Sequence, residues 1–402
     1  MPEPRLQRVL VFTTLSRMAK RATKRGDERT DLSGSRDVLI CGASFAGLMA
    51  ARQLAGSGAD VLVIDRYEIG ERQTSACAIP TSWLEELGLI ESEKQRFDSV
   101  LIHTAHGSIR LDVPWSFSTF DYPSFCEMLW DQCDAEFETA KVNGRADSED
   151  SGGSHLIDTD RGVISSPLVV DSLGWKRVLA NGAHYQPPDA PLSRGLEVHP
   201  PGGNEDLEVF INRRYVPAGY GWSFPAGDEV RVGIGSFDPH FPVRPTTDLL
   251  ADDIEVGKSG YQGNWIPHKL RPATANGIFF AGDSAGHCFP MTAEGIRPAL
   301  YFGAALGMEL REVVEGRESR EQALTAYHDF SAGHQWAFDW LLRSQKLLPR
   351  IHPRLVKPTL AASFKTGGSG DYAFNRYLDI APPEFAALAT RAVKGGRLLV
   401  AT

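Results

Sequence analysis

The chain has 402 residues, 42% hydrophobic and 23% charged, the balance of an ordinary folded protein whose core is large enough for two interleaved lobes. Its net charge of −9 argues against a general nucleic-acid binder, which needs a basic surface. Five cysteines, Cys41, Cys77, Cys126, Cys133 and Cys288, form no Cys-x-x-Cys pair and fit free thiols in a reducing cytoplasm, while no apolar run reaches the ~18 residues of a membrane-spanning helix. No metal site is expected.

Residues 1–35 are rich in Lys and Arg around an apolar patch at Val9–Leu15. One reading is an amphipathic helix in peripheral contact with an anionic membrane. The plainer one, favoured here, is a poorly ordered extension or an upstream start ahead of Met18. The absence of an Ala-x-Ala-like site argues against a secretory signal.

Val38–Cys41 is wholly apolar, as expected of a strand buried on both faces of a parallel sheet. Gly42 breaks it, Leu48, Ala50, Ala51 and Leu54 then recur at helical spacing, and Val61–Ile64 is a second buried strand. The turn reads Gly42-x-Ser44-Phe45-Ala46-Gly47, one substitution from a dinucleotide fingerprint, with Asp65 23 positions after Gly42. Gly42 permits the tight turn and Ser44 leaves room for a pyrophosphate. Gly47 lets the helix pack close, and the helix N-terminus favours phosphate. Asp65 can accept from a ribose diol. The unit alone leaves NAD and FAD both open, and its rival is a glycine-rich turn in an unrelated α/β protein.

A short helix is expected around Trp83–Leu87 and a hairpin over Val100–Val113, turning at His106-Gly107, with His103 and His106 as exposed turn residues. Ser124–Glu138 reads as one helix carrying Cys126 and Cys133 on a common face. Leu156–Val170 reads as two strands about Asp160-Arg161-Gly162, running into Asp171-Ser172-Leu173-Gly174 at the cofactor edge of the parallel sheet. Leu207–Phe237 alternates every second residue, as antiparallel strands with one buried face do. From about Pro298 onward the pattern is mostly helical. The expected divisions are 36–180 and 268–318 for a nucleotide domain in two parts, 181–267 for a substrate sheet, and 319–402 for a helical C-terminal region.

Ile278–Ala281 is again a buried-strand sequence and delivers Gly282-Asp283 to its carboxyl end, where open α/β sheets bind ligands. A carboxylate there can accept from a polyol. The helix beginning near Gly295 points its N-terminus inward, where its dipole favours a negative charge. Two such signals so far apart suit a two-part cofactor better than NAD alone.

Gly42-x-Ser44-x-x-Gly47, Gly282-Asp283-Ser284-Ala285-Gly286 and Glu294-Gly295-Ile296 resemble the signatures of FAD-dependent oxidoreductases of the para-hydroxybenzoate hydroxylase type. Within that superfamily, Tyr220-Gly-Trp222-Ser-Phe224-Pro225 with Val232-Gly233-Ile234-Gly235, and Cys77-Ala-Ile-Pro80, resemble the geranylgeranyl reductase family. The resemblance covers residues 36–310. It implies an α/β fold with a Rossmann-like FAD-binding domain on a parallel sheet and an antiparallel sheet roofing the substrate pocket. Ala46, Asp65, Asp283, Gly295 and Ile296 are implied FAD contacts beside Gly42, Ser44, Phe45, Gly47, Arg66 and Gly282. Cys77 is implied near the flavin ring, and Tyr220 and Trp222 in the pocket, where the plain alternatives are core packing for all three. His287 reads either as a proton donor or as a loop histidine packed by Phe289. The family's arginine before the helix opening near Ser124 is replaced here by Asp121-Tyr122-Pro123.

The expected activity is reduction of C=C bonds in an apolar, isoprenoid-like small molecule, by hydride from a flavin reduced by NAD(P)H or another donor. Its rivals are a flavin monooxygenase hydroxylating an aromatic or apolar substrate, and a flavin or lipid binder without turnover. Tyr220-x-Trp222-x-Phe224-Pro225 lacks the first tryptophan of the halogenase motif.

Overall fold

The computed structural model describes residues 30–73, 75–146, 153–180, 192–365 and 369–387. The basic extension, with Val9–Leu15 and Met18, lies outside the described residues up to position 29.

The site is built on a six-stranded sheet in the order β17-β18-β11-β2-β3-β7. Its members are β2 (Val38–Cys41), β3 (Val61–Asp65), β7 (Glu136–Thr139), β11 (Leu168–Asp171), β17 (Thr274–Ala275) and β18 (Ile278–Phe280). β18, β11, β2, β3 and β7 run parallel, and every residue of β2, β11 and β18 is buried, as apolar runs demand; the exception in type is Asp171, which closes β11. α1 (Phe45–Gln53) follows β2 and packs on α5 (Ile296–Val314). That approach is close because α5 presents glycines. A Cβ on Gly303 would stand 2.6 Å from the Ala46 carbonyl oxygen, and one on Gly307 would stand 2.7 Å from that of Ala50.

The largest sheet has the order β16-β12-β15-β14-β13-β5-β6-β4. These strands are β4 (Ala78–Pro80), β5 (Glu93–Thr104), β6 (Gly107–Phe120), β12 (Leu192–Val198), β13 (Leu207–Ile211), β14 (Gly219–Ala226), β15 (Glu229–Ser236) and β16 (Gln262–Pro267). The hairpin expected over Val100–Val113 extends from Glu93 to Phe120 and joins this sheet, β5 pairing parallel with β13. One face is covered by α4 (Val243–Asp253), whose Leu250 meets the Gly221 position. A small sheet of β1 (Gly34–Ser35), β8 (Val142–Arg145), β9 (His155–Thr159) and β10 (Gly162–Ser166) completes the strands.

The expected helix Ser124–Glu138 is divided. Asp121 caps α3 (Tyr122–Trp130) by accepting from the Ser124 N–H at 3.0 Å, and the helix stops at Trp130. Glu136–Thr139 then adds to the parallel sheet beside β3, where pairing overrides helical pattern. Cys126 is therefore buried inside the helix and Cys133 lies beyond its end. α2 (Thr81–Glu86) precedes the hairpin. The C-terminal region is α6 (Arg320–Gly333), α7 (Gln335–Leu347), α8 (Pro353–Lys365) and α9 (Ser369–Leu378). α8 and α9 pack on β6, and no helix among the described residues is long and apolar enough to cross a membrane.

Candidate active site

β2 ends at Cys41, and the following turn is shaped by two glycines that nothing larger can replace. Gly42 has φ +114°, and a Cβ on it would meet the Ser172 carbonyl oxygen at 2.3 Å. A Cβ on Gly47 would stand 1.9 Å from the Gly42 carbonyl oxygen, so α1 lies directly on the turn that precedes it. Ser44 is the N-cap residue of α1, and no side chain caps its N-terminal amides. The Ser44 hydroxyl lies 3.1 Å from that of Tyr122, and Phe45 stands edge-on to Phe120, Tyr122 and Phe125. Burial raises the Tyr122 phenol well above its ordinary value, so it stays protonated and able to donate.

At the end of β3, Asp65 accepts from the Ala43 N–H at 2.9 Å on one oxygen and from the Tyr67 N–H at 3.1 Å on the other. Each oxygen keeps a further acceptor site. Arg66 is exposed with its guanidinium 4.8 Å from the Tyr67 ring centre. A cavity of about 340 Å³ opens beyond, between Tyr67–Gln73 and Tyr261–Gly263.

The second half arrives from β18, two strands away across β11. Gly282, at φ +59°, brings the backbone against α1, where a Cβ would be 3.2 Å from that of Ala46. The Asp283 carboxylate accepts no hydrogen bond from any described residue. Burial raises it from 3.8 to about 6, with Arg271 pulling the other way. It faces Gly295, the N-cap residue of α5, where a Cβ would lie 3.8 Å from its Oδ1. A carboxylate with no hydrogen-bond donor among the described residues, two helix N-termini and turns bare of side chains form a cradle suited to a phosphate, a polyol and an electron-rich ring. These residues fit FAD.

Above this cradle stands the large sheet. Tyr220, Trp222 and Phe224 alternate along β14 on the face opposite α4, and all three are partly exposed. The Trp222 ring lies over a floor of glycines: a Cβ on Gly233 would be 2.3 Å from its Cζ2, on Gly235 3.4 Å from its Cζ3, and on Gly195 3.9 Å from its Cη2. Its indole N–H donates to the buried Glu197 at 3.1 Å, whose other oxygen lies 3.0 Å from His199. Tyr220 donates to the Thr292 carbonyl, and the Thr292 hydroxyl is 2.6 Å from that of Tyr377 on α9. Tyr377 in turn donates to Glu294, which pairs with the fully buried Arg297 at 2.8 Å. Arg297 donates to the carbonyls of Tyr377 and Leu378 at 3.2 and 2.9 Å, pinning the C-terminal helix over the N-terminus of α5. Sequence reading missed Arg297 and Tyr377, because it assigned no partner to the C-terminal helices, and Tyr122, whose partner Ser44 lies 78 positions away.

Cys77 precedes β4 at φ +51° and is fully buried, with its thiol pushed well above the ordinary range. Arg231, also buried, donates to the carbonyls of Ala76 at 2.8 Å and Phe120 at 3.0 Å, fastening this loop to the sheet. His287 is fully buried, stacked on Phe302 at 3.9 Å with Nε2 3.0 Å from the Ser331 hydroxyl, and burial pushes its pKa well down. It is a neutral core residue, packed by Phe302 rather than Phe289. His103 is not a turn residue: it lies within β5, stacked on Phe210 at 4.6 Å, and its Nε2 is 3.0 Å from Glu208. No group of three or more His, Cys, Asp or Glu among the described residues is placed to hold a metal.

The family described as the FAD binding domain matches residues 35–96. Digeranylgeranylglycerophospholipid reductase 3 of Methanosphaera stadtmanae is 24% identical over 332 residues, spanning 74% of this chain and 83% of the relative. The digeranylgeranylglycerophospholipid reductase of Sulfolobus acidocaldarius is 23% identical over 346 residues, spanning 75% and 72%. Among solved structures, a geranylgeranyl bacteriochlorophyll reductase-like protein of Thermoplasma acidophilum superposes with a TM-score of 0.75 at 17% identity, covering 88% of this chain and 98% of that one. The flavin-dependent brominase Bmp2 superposes with a TM-score of 0.67 at 14% identity, covering 90% and 98%, so the fold is also that of a flavin-dependent brominase. The chain is an FAD-dependent oxidoreductase, homologous in sequence to the digeranylgeranylglycerophospholipid reductases and sharing the fold of the geranylgeranyl reductase-like flavoproteins.

Proposed function

We propose that this oxidoreductase reduces C=C bonds of an apolar, isoprenoid-like substrate, with NAD(P)H as one candidate electron donor. The observation that supports the reading best is the substrate face itself. Tyr220, Trp222 and Phe224 offer a row of partly exposed rings, Trp222 lying over glycines, a surface suited to a flat apolar chain. The relatives' names point the same way.

In this reading the turn Gly42-Ala43-Ser44-Phe45-Ala46-Gly47 and the N-terminus of α1 hold the diphosphate, helped by the Tyr122 hydroxyl beside Ser44. Asp65 accepts from the adenosine ribose with Arg66 at its flank. Gly282 and Asp283 take the polyol, and Gly295 and Ile296 at the N-terminus of α5 favour negative charge on the ring system. FAD, once bound and reduced, supplies the hydride. Cys77 packs the ring side as a protonated, apolar thiol. Trp222 orients the substrate, its own plane fixed by Glu197, and Tyr220 closes the pocket while its hydroxyl is held by Thr292.

The test is anaerobic turnover of the flavin-loaded protein with a geranylgeranyl lipid and an excess of NADPH, or of dithionite as a chemical reductant, followed by mass spectrometry. Products gaining two hydrogens per double bond are expected. An oxygenated product formed in air, with no saturated product under anaerobic conditions, would replace this reading by monooxygenation.

A further inference from the structure

Apart from Ile90 and Val163, the large apolar side chains exposed among the described residues lie on the C-terminal helices. Trp336 (65%), Trp340 (52%) and Leu347 (57%) lie on α7, Leu355 (56%) on α8 and Tyr372 (64%) on α9. Trp336, Trp340, Arg343 and Leu347 are spaced i, i+4, i+7 and i+11, so they share one helical face. The opposite face of α7 buries Ala337, Phe338 and Leu341 in the core. A helix apolar on both sides needs a second apolar medium for the outer one.

The charge around this face identifies the medium. Residues 335–365 carry six lysines and arginines against the single Asp339, in a chain whose net charge is −9. Arg343, Lys346, Arg350 and Arg354 are exposed and Lys357 half-buried, and none of them forms an ion pair with a described residue. Exposed indoles flanked by cations and nearly free of acids are the chemistry of a surface that enters the headgroup layer of an anionic bilayer. Directly behind it, Leu348, Pro349, Ile351, Pro353 and Val356 line a cavity of about 60 Å³ with Ile211 and Gly219, the residue before Tyr220.

We propose that the outer face of α7 and the start of α8 dock the protein on an anionic lipid surface, with Trp336, Trp340, Leu347 and Leu355 inserted and Arg343, Lys346, Arg350 and Arg354 at the phosphates. This surface is built from residues 336–355 alone, and the proposal does not depend on which reaction the flavin performs.

The experiment uses the full chain loaded with FAD, with no substrate present. Flotation with vesicles of phosphatidylcholine containing phosphatidylglycerol is compared with flotation on phosphatidylcholine alone. Wild type is expected to float with the anionic vesicles and only weakly with the neutral ones. Trp336→Ser with Trp340→Ser, and separately Arg343→Glu with Arg350→Glu and Arg354→Glu, should each lower anionic partitioning by about tenfold or more at unchanged flavin content. Quenching of wild-type tryptophan emission by brominated acyl chains should fall in the tryptophan pair. Three results would overturn the proposal: unaltered flotation of both variants; flotation lost only when residues 1–29 are removed; or a wild-type dimer in sedimentation that the tryptophan pair turns into monomer.

Discussion

Asp283 holds its charge where the protein penalises it, and that penalty can be measured. Burial lifts its carboxyl from 3.8 to about 6 against the pull of Arg271. Because the folded-state value is the higher one, the folded protein keeps the proton between the two, and stability falls as pH rises through that window. At ~1.4 kcal/mol per pH unit, the full penalty is about 3 kcal/mol above neutral pH, reduced to about 2 kcal/mol by solvent reaching the partly exposed carboxylate. Asp283→Asn keeps the shape and removes the charge. The flavin-free variant should be more stable than wild type by about 2 kcal/mol near pH ~8 and equal to it near pH ~4. The same substitution should weaken FAD binding by roughly 10- to 100-fold, since it replaces an acceptor carboxylate by an amide with a single acceptor atom. Urea unfolding of flavin-free protein across this range, with fluorescence titration of FAD, tests both arms. Parallel stability profiles for the two proteins, or wild-type affinity in the variant, would refute the reasoning.

Gly47→Ala should abolish FAD binding and cost about 3 kcal/mol or more, because its methyl would stand 1.9 Å from the Gly42 carbonyl; flavin content and thermal unfolding check it. Gly233→Ala should displace the Trp222 ring and raise KM several-fold at unchanged flavin content, read by steady-state kinetics. Arg297→Ala leaves the buried-side Glu294 charge with only the Tyr377 hydroxyl and takes the shared donor from the Tyr377 and Leu378 carbonyls; a loss of about 3–5 kcal/mol and protease-sensitive α9 are expected in unfolding and limited digestion.

The parallel sheet was legible because β2 and β18 are wholly apolar and β3 and β11 are apolar up to a terminal aspartate. Gly42, Gly47 and Asp283 were legible for the same reason, since turns and strand ends leave local marks. The helix expected over Ser124–Glu138 misread its second half, because only the partner β3 makes Glu136–Thr139 a strand. In the sequence Tyr122 shows only as the lack of an arginine, and its hydroxyl beside Ser44 depends on a contact between residues 78 positions apart. Arg297 and Tyr377 left no local mark either: a charged residue early in a helix looks exposed until the segment that buries it is placed.

The adjacency of β18 to β11, and of β11 to β2, also sets an order of events during biosynthesis. Asp283 follows Gly42 by 241 positions, so the nascent chain exposes its first nucleotide-binding turn long before the strand that completes the cradle is made. At ~5–20 residues per second that interval lasts on the order of ten seconds or more. Cofactor capture is thus a late step. FAD then acts as a staple between early and late segments, and a cell short of riboflavin would lose this protein through degradation of flavin-free chains as much as through idle enzyme.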